Sequence, residues 1–108
     1  MDYCKVTAIV RGEKVKKIEE HLIEHGACGM TVTQVKGCGE WMDFFQKDWM
    51  VTHARVEIFT AAEKAEEIAQ AVMKAAHTGE VGDGIIAILP VQKLYRIRSQ
   101  SLGVPDNL

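Results

Sequence analysis

The chain has 108 residues, which is enough for one domain built around one hydrophobic core. Its 13 basic and 15 acidic residues leave a net charge of -2, which disfavours general binding to nucleic acid or anionic membranes. The longest apolar stretch, Ile85–Val91, is far shorter than the ~20 residues of a membrane span, and the first residues lack a signal-peptide pattern. Three widely spaced cysteines indicate reduced thiols, so we expect a cytoplasmic protein.

The first half of the chain predicts a strand, a helix and a second strand. Apolar and polar residues alternate over Tyr3–Arg11, which is the period of a strand. Over residues 14–25 apolar residues recur at spacings of three and four, which indicates an amphipathic helix, and Gly26 follows at the position of a left-handed helix cap. The short β-branched segment 30–36 predicts the second strand.

The same order then repeats. Residues 51–60 alternate, with His53 among those predicted to point away from the core. Thr60 and Glu63 have the spacing of a capping box, in which each side chain bonds a backbone amide of the other residue. The apolar stripe after them predicts a helix that ends before Gly79.

The wholly apolar segment Ile85–Val91 predicts a last strand, and residues 94–98 a further short one. Two strand-helix-strand units of similar length indicate an α+β fold, the ferredoxin-like βαββαβ sandwich with both helices on one face of the sheet. We therefore predict one domain over residues 1–108.

Such a fold leaves the other face of the sheet without helices. We expect five apolar side chains to point to this face: Ile9, Val35, Phe59, Ile86 and Ile88. A monomer would expose that patch to water, so we infer an oligomer. A shift in the register of some strands is the alternative, because it would turn their side chains to the other face.

The segment 78–84 joins the second helix to the last long strand and contains three glycines in seven residues. Successive backbone amides of such a turn form a concavity that holds phosphate oxygens without a side-chain charge. An ordinary helix-to-strand connection also uses Gly and Asp. The segment alone therefore leaves both interpretations open.

Two other places in the sequence favour an anion site. Arg96 and Arg98 lie two residues apart, so on an extended segment both guanidinium groups reach the same side and form a clamp for phosphate. Solvated charges at a sheet edge are the alternative. Gly37 and Gly39 form a second permissive turn, next to Lys36. The three pieces converge only across the fold or across a subunit boundary.

Three stretches resemble signatures of the PII signal-transduction proteins. Residues 29–39 read G-M-T-V-T-Q-V-K-G-C-G, similar to the family's G-M-T-V-T-x-V-K-G-x-G. Residues 78–84 resemble the family's B-loop, and residues 96–98 resemble its C-terminal R-I-R. The stretches occur in the family's order and spacing over nearly the whole chain.

The resemblance implies a homotrimer that holds adenine nucleotides in the three clefts between subunits and regulates other proteins by moving a T-loop. Here the T-loop region is about 37–52 and the C-terminal segment 93–108. By motif, the resemblance implies that the nucleotide site consists of Thr31, Gly37, Cys38, Gly39, Thr78, Gly79, Gly82, Asp83, Gly84, Arg96 and Arg98. The two arginines would hold phosphates. The sequence offers no catalytic set and no metal-ligand motif, so we expect a regulatory protein and not an enzyme.

Two positions depart from the family pattern, one within the B-loop, residues 78–84, and one directly after it. The family commonly has lysines after Thr-Gly and after Gly-Asp-Gly, where this chain has Glu80 and Ile85. The first replacement changes the local charge by two units and the second by one, so three units of positive charge are lost where a β- or γ-phosphate would lie. We therefore expect AMP or ADP to be favoured over ATP.

The T-loop region is shorter than usual and has no tyrosine for the nucleotidylylation that some relatives undergo. Trp41 and His53 stand where members that sense 2-oxoglutarate have glutamine and lysine, so we do not expect that sensing here. In its short loop the chain resembles divergent PII-like proteins, some of which are linked to inorganic carbon handling or transport rather than nitrogen. The resemblance thus implies a regulated transporter or enzyme as partner, with bicarbonate as a candidate small co-ligand.

An aromatic cluster stands in place of the long loop. Trp41, Phe44, Phe45 and Trp49 have spacings that would place them on one face of a helix. An exposed aromatic cluster is typical of a binding hot spot for a partner protein. The alternative is that the cluster packs on its own trimer and covers the cleft.

Two other functions compete with the sensor. A ferredoxin-like acyl-phosphate hydrolase needs a phosphate loop near the first strand with an Arg and an Asn, but only Arg11 and Gly12 lie there, and Asn107 is the sole asparagine. A purely structural adaptor would use the apolar sheet face and the aromatic cluster only to bind protein. The nucleotide sensor is the function that the sequence favours.

Overall fold

The computed structural model describes residues 2–27, 29–35 and 53–103. In these ranges the chain forms six strands and two α-helices: β1 Tyr3–Arg11, α1 Val15–Glu24, β2 Thr31–Val35, β3 His53–Ala61, α2 Ala65–Ala76, β4 Ile85–Val91, β5 Tyr95–Arg96 and β6 Ser101–Leu102. None of the described helices is long and apolar enough to cross a membrane.

Strands β1 to β4 form one antiparallel sheet in the order β2-β3-β1-β4. Helices α1 and α2 pack together on one face of it, and β5 and β6 form a separate two-stranded sheet. This order confirms the ferredoxin-like βαββαβ fold that the sequence predicts.

The hydrophobic core lies between the sheet and the two helices. Alternate residues of β1 and β3 point into it, as the period-two pattern predicts, and the stripes of both helices cover them. The largest fully buried side chains are Ile18, Ile58, Ile68, Val6, Val10, Val56 and Val72. Burial of each such side chain stabilises the fold by about 1.5–3 kcal/mol. The core therefore keeps the sheet in place, and the loops described below start from the ends of this sheet.

The predicted capping box is wrong. Strand β3 continues to Ala61, which lies opposite Tyr3 of β1, and Thr60 is buried in the sheet. A 3-10 turn at Ala62–Lys64 then leads into α2, and no side chain caps its start. Strand pairing with β1 therefore determines where this helix begins. At the end of α1 the prediction is confirmed, because Gly26 has the left-handed φ of 73°.

The open face, which is the face of the sheet without helices, carries apolar side chains beside the ion pairs that Glu57 forms with Lys5 and Arg55. Its apolar residues are partly different from those predicted. Ile85 lies opposite Ile9 in the β1–β4 pair, and directly opposed residues share a face. Ile85 and Leu89 therefore lie on the open face, whereas Ile86 and Ile88 lie on the helix face, and their prediction is wrong by one residue. A strand made only of apolar residues has no alternation that marks its faces, which explains the error.

Candidate functional site

The B-loop is pressed against the end of strand β1. Gly84 has a φ of 107°, and a Cβ atom on it would overlap the carbonyl oxygen of Ile9 and lie 2.8 Å from its carbonyl carbon. Only a glycine permits both this backbone conformation and this close approach. The last glycine of the loop therefore fixes how the loop meets the sheet.

The carboxylate of Asp83 closes the B-loop on itself. Its Oδ2 accepts hydrogen bonds from the backbone amides of Thr78 and Gly79, both at 2.9 Å. Its Oδ1 accepts from the hydroxyl of Thr78 and from Nε of Arg11 at 3.3 Å. The amides of Thr78 and Gly79 thus hold the protein's own carboxylate, so these residues shape the loop.

The same contacts determine the ionisation of Asp83. Desolvation raises its pKa, but the hydrogen bonds from Thr78, Gly79 and Arg11 outweigh it and hold the pKa far below the usual value of 3.8. The imidazole of His77 is also near this carboxylate, with its Nδ1 at 3.8 Å from Oδ2. Asp83 is therefore a carboxylate at any physiological pH.

Two buried side chains of the sheet hold the backbone of the B-loop, and the sequence analysis identified neither. Arg11 Nη2 donates to the carbonyl of Val81 at 2.6 Å, and His53 Nε2 lies 3.2 Å from the carbonyl oxygen of Gly82. Arg11 and His53 are opposite each other at the end of the β1–β3 pair. His53 points away from the core, as predicted, because it alternates with the core residue Ala54, but it is only 5% exposed. It lies at the end of the sheet that the B-loop covers.

The other residues predicted for the site lie partly outside this cluster. Thr31 is exposed on β2, opposite Glu57. Gly37, Cys38 and Gly39, and the aromatic residues Trp41, Phe44, Phe45 and Trp49, lie outside the described residues. Val35 pairs with His53, so the chain leaves β2 for segment 36–52 and returns to β3 beside the B-loop.

Arg96 lies at the opposite end of β1 from the B-loop. A Cβ atom on Gly103 would lie 3.8 Å from Nη2 of Arg96 and 3.8 Å from the hydroxyl of Tyr3, at the start of β1. The B-loop meets β1 at Ile9, six residues further on, which is a distance of roughly 20 Å along a strand. One protomer therefore does not bring the two predicted phosphate-binding parts together.

The prediction that Arg96 and Arg98 lie on one extended segment is wrong. Strand β5 ends at Arg96, and residues 97–100 form a turn in which the amide of Gln100 donates to the carbonyl of Ile97 at 3.2 Å. Gln100 has a φ of 54°, which turns the chain back so that Ser101 pairs with Arg96. Arg98 is consequently exposed in the hairpin turn, while Arg96 is half-buried.

The chain is similar to known proteins over nearly its whole length. The family model described as nitrogen regulatory protein P-II matches residues 3–101. The chain therefore belongs to the P-II family. The P-II protein of Cyanidium caldarium is 31% identical over 105 residues, which cover 91% of this chain and 93% of that protein. GlnK2 of Haloferax mediterranei is 38% identical over 111 residues, which cover 91% and 85%.

A solved P-II structure confirms the fold. The crystal structure of Arabidopsis thaliana PII bound to citrate matches with a TM-score of 0.80 and 32% identity, covering 94% of this chain and 89% of that one. This P-II protein accordingly belongs to a family of nitrogen regulatory proteins, and the predicted family resemblance is confirmed.

Asp83→Asn is expected to lower the free energy of unfolding by about 1–3 kcal/mol at neutral pH, because a neutral amide accepts weaker bonds and leaves Arg11 without its counter-charge. The pKa of Asp83 is lowered in the folded P-II protein. Its contribution is therefore fully present above the unfolded pKa and is lost as the pH falls through the folded one.

Urea unfolding measures this difference at about pH 7 and about pH 3, and we expect the gap between wild type and Asp83→Asn to shrink at the lower pH. Glu80→Gln, a matched change at an exposed position of the same loop, serves as control. Equal stability of Asp83→Asn and wild type at pH 7 would contradict the closing role of the carboxylate.

Proposed function

We propose that this P-II protein is a trimeric regulatory sensor that binds an adenine nucleotide in the clefts between its subunits. AMP or ADP is favoured over ATP, and the bound state controls a partner transporter or enzyme. The site takes amides from the B-loop, with Gly82, Asp83 and Gly84, and guanidinium groups from Arg96 and Arg98.

The observation that supports an inter-subunit site is the separation of its two halves within one protomer. The B-loop lies against Ile9 of β1, and Arg96 lies near Tyr3, roughly 20 Å away along the strand. This distance is far longer than a diphosphate group. A second protomer must therefore bring its arginines to the B-loop if both halves hold one anion.

The open face offers the surface for such an assembly. Phe59, Ile85 and Leu89 are 44%, 43% and 40% exposed in the protomer. At about 25 cal/mol per Å² of buried apolar surface, covering side chains of this size stabilises an assembly appreciably. Exposed apolar side chains grouped on one face and bordered by charged residues are typical of an interface.

Charge at the B-loop supports the preference for short phosphate chains. Glu80 is exposed on the loop and carries a negative charge, and Ile85 at the start of β4 carries none. Each additional phosphate brings more negative charge towards this loop, so the Coulomb cost grows from AMP to ATP. A small co-ligand such as bicarbonate would add a further negative charge near the same place.

The segment 36–52 is the proposed contact with the partner, through Trp41, Phe44, Phe45 and Trp49. Its two flanking residues, Val35 and His53, are paired, and His53 is bonded to the B-loop. A ligand at the B-loop is therefore connected with the base of this segment. We propose a role in inorganic carbon or nitrogen metabolism and a cytoplasmic location.

Arg98→Ala tests the nucleotide site without touching the core, because Arg98 is exposed in a turn. Loss of one charge-assisted bond to phosphate is expected to weaken ADP binding by about 10- to 100-fold. Isothermal titration calorimetry with AMP, ADP, ATP and cyclic AMP measures the affinities, and native mass spectrometry reports stoichiometry and retained ligand. Lys93→Ala, an exposed basic residue of the same region, is the matched control.

The outcomes separate the competing functions. Negligible and equal heats for all four nucleotides would overturn the sensor proposal. Trimers without any ligand that still bind a partner protein would favour the structural adaptor. Turnover of an acyl phosphate would favour the hydrolase.

A further inference from the structure

We infer that Arg11 and His53 are positioning residues for the phosphate site, because they hold two successive carbonyl groups of the B-loop. The inference rests on the proposed function and names residues that hold the loop in its binding shape. Neither residue needs to touch the ligand.

The contacts join two strands to adjacent peptide groups of the loop. Arg11 at the end of β1 donates to the carbonyl of Val81 at 2.6 Å, and His53 at the start of β3 reaches the carbonyl of Gly82 at 3.2 Å. Arg11 also donates from Nε to Asp83 at 3.3 Å. One guanidinium group thus fixes both the backbone and the closing carboxylate.

The geometry of the peptide group converts these bonds into the direction of an amide. In a trans peptide the carbonyl of one residue and the N–H of the next point in opposite directions. Since the carbonyl of Gly82 points to His53, the amide of Asp83 points away from His53 and from the sheet end. Gly82 is buried whereas Asp83 is partly exposed, so the Asp83 amide is the donor that an anion from outside would meet.

Burial makes these bonds effective. Arg11 is 8% exposed and His53 is 5% exposed, so water competes little for either donor. The imidazole acts as a donor from Nε2 to Gly82, which both the neutral Nε2–H tautomer and the cation supply. An apolar residue at position 53 would leave the carbonyl of Gly82 without this donor and free the peptide group to rotate.

The test compares variants that keep or remove the donor. His53→Gln retains an N–H donor and is expected to bind ADP within about three-fold of wild type, whereas His53→Leu is expected to bind at least about ten-fold more weakly. Arg11→Met is expected to weaken ADP binding by at least as much, and Arg11→Lys by less. His25→Leu and Lys16→Met are the controls. Lys16 is exposed on α1, and His25 is exposed directly after its end.

Adenosine provides the readout that distinguishes positioning from general damage, because it lacks the phosphate. Ligand-observed NMR is expected to show adenosine binding unchanged in His53→Leu and Arg11→Met, with native mass spectra that report the same assembly as wild type and unfolding midpoints above the temperature of the binding assay. The inference is overturned if these variants bind ADP as wild type does, or if they lose ADP and adenosine equally. Wild-type protein that binds no adenine nucleotide overturns the proposed function and, with it, this inference.

Discussion

Gly84→Ala is expected to destabilise the protein by at least about 4 kcal/mol, which is a large part of the about 5–15 kcal/mol by which a domain is stable. The added Cβ would overlap the carbonyl oxygen of Ile9, which belongs to the central strand β1. That carbonyl is backbone held by pairing on both sides, so it does not move aside as the end of a flexible side chain would. The φ of 107° adds strain of its own for any residue with a Cβ.

Gly26→Ala is the matched control for the backbone strain. Gly26 also has a left-handed φ, of 73°, but no atom beyond its chain neighbours lies within 4 Å of a Cβ built on it. Alanine there is expected to cost only about 1–2 kcal/mol. Urea unfolding followed by circular dichroism measures both variants, and a Gly84→Ala protein as stable as Gly26→Ala would refute the close contact with Ile9.

The sequence predicted the elements best where one physical signal acts alone. The bounds of β1 and β4 are those predicted, because Gly12 follows the first strand and Gly84 precedes the last. The start of α2 was wrong, because pairing of Ala61 with Tyr3 extends β3 past the predicted cap. Local spacing does not report how far a neighbouring strand extends.

The candidate site was also predictable only in part, because local sequence patterns do not report contacts between distant parts of the chain. Glycines in segment 78–84 marked the loop, since a tight turn and a close approach both require glycine. Arg11 and His53 carried no such signal, because they lie 42 positions apart in the sequence and are adjacent only through the register of β1 and β3. Both looked like outward-facing strand residues. Their role follows from where the loop folds, which is a tertiary fact.

Which residues meet between the subunits of an assembly is still harder to predict from one sequence. Arg96 and the B-loop occur within twelve residues of each other in sequence, since Gly84 and Arg96 are separated only by β4 and a short connection. The extended strand β4 nevertheless carries them to opposite ends of the sheet. Closeness in sequence thus becomes distance in the protomer, and the proposed nucleotide site needs a second copy to bring the two together.

Mixed trimers are expected to regain nucleotide binding that neither parent variant shows. Gly79→Asp places a negative charge on the B-loop. A Cβ there meets only the side chain of His77, at 3.9 Å, while the φ of 91° strains any residue that has a side chain. Arg98→Ala removes the guanidinium from the other half. Each variant alone should bind ADP at least about ten-fold more weakly than wild type. Gly79→Asn, which has the shape and the backbone strain of Asp without its charge, is the control and should bind ADP more tightly than Gly79→Asp.

In a random equal mixture of the two variants, about a quarter of the inter-subunit clefts combine an intact B-loop with an intact arginine, by the cyclic symmetry of a trimer. Calorimetry on co-refolded protein should therefore recover tight sites for ADP at about one quarter of the wild-type number. A site built within one protomer would recover none, because every chain then carries one defect. The two outcomes differ in stoichiometry and not merely in affinity, so the mixture decides whether the roughly 20 Å between the B-loop and Arg96 is closed by a second subunit.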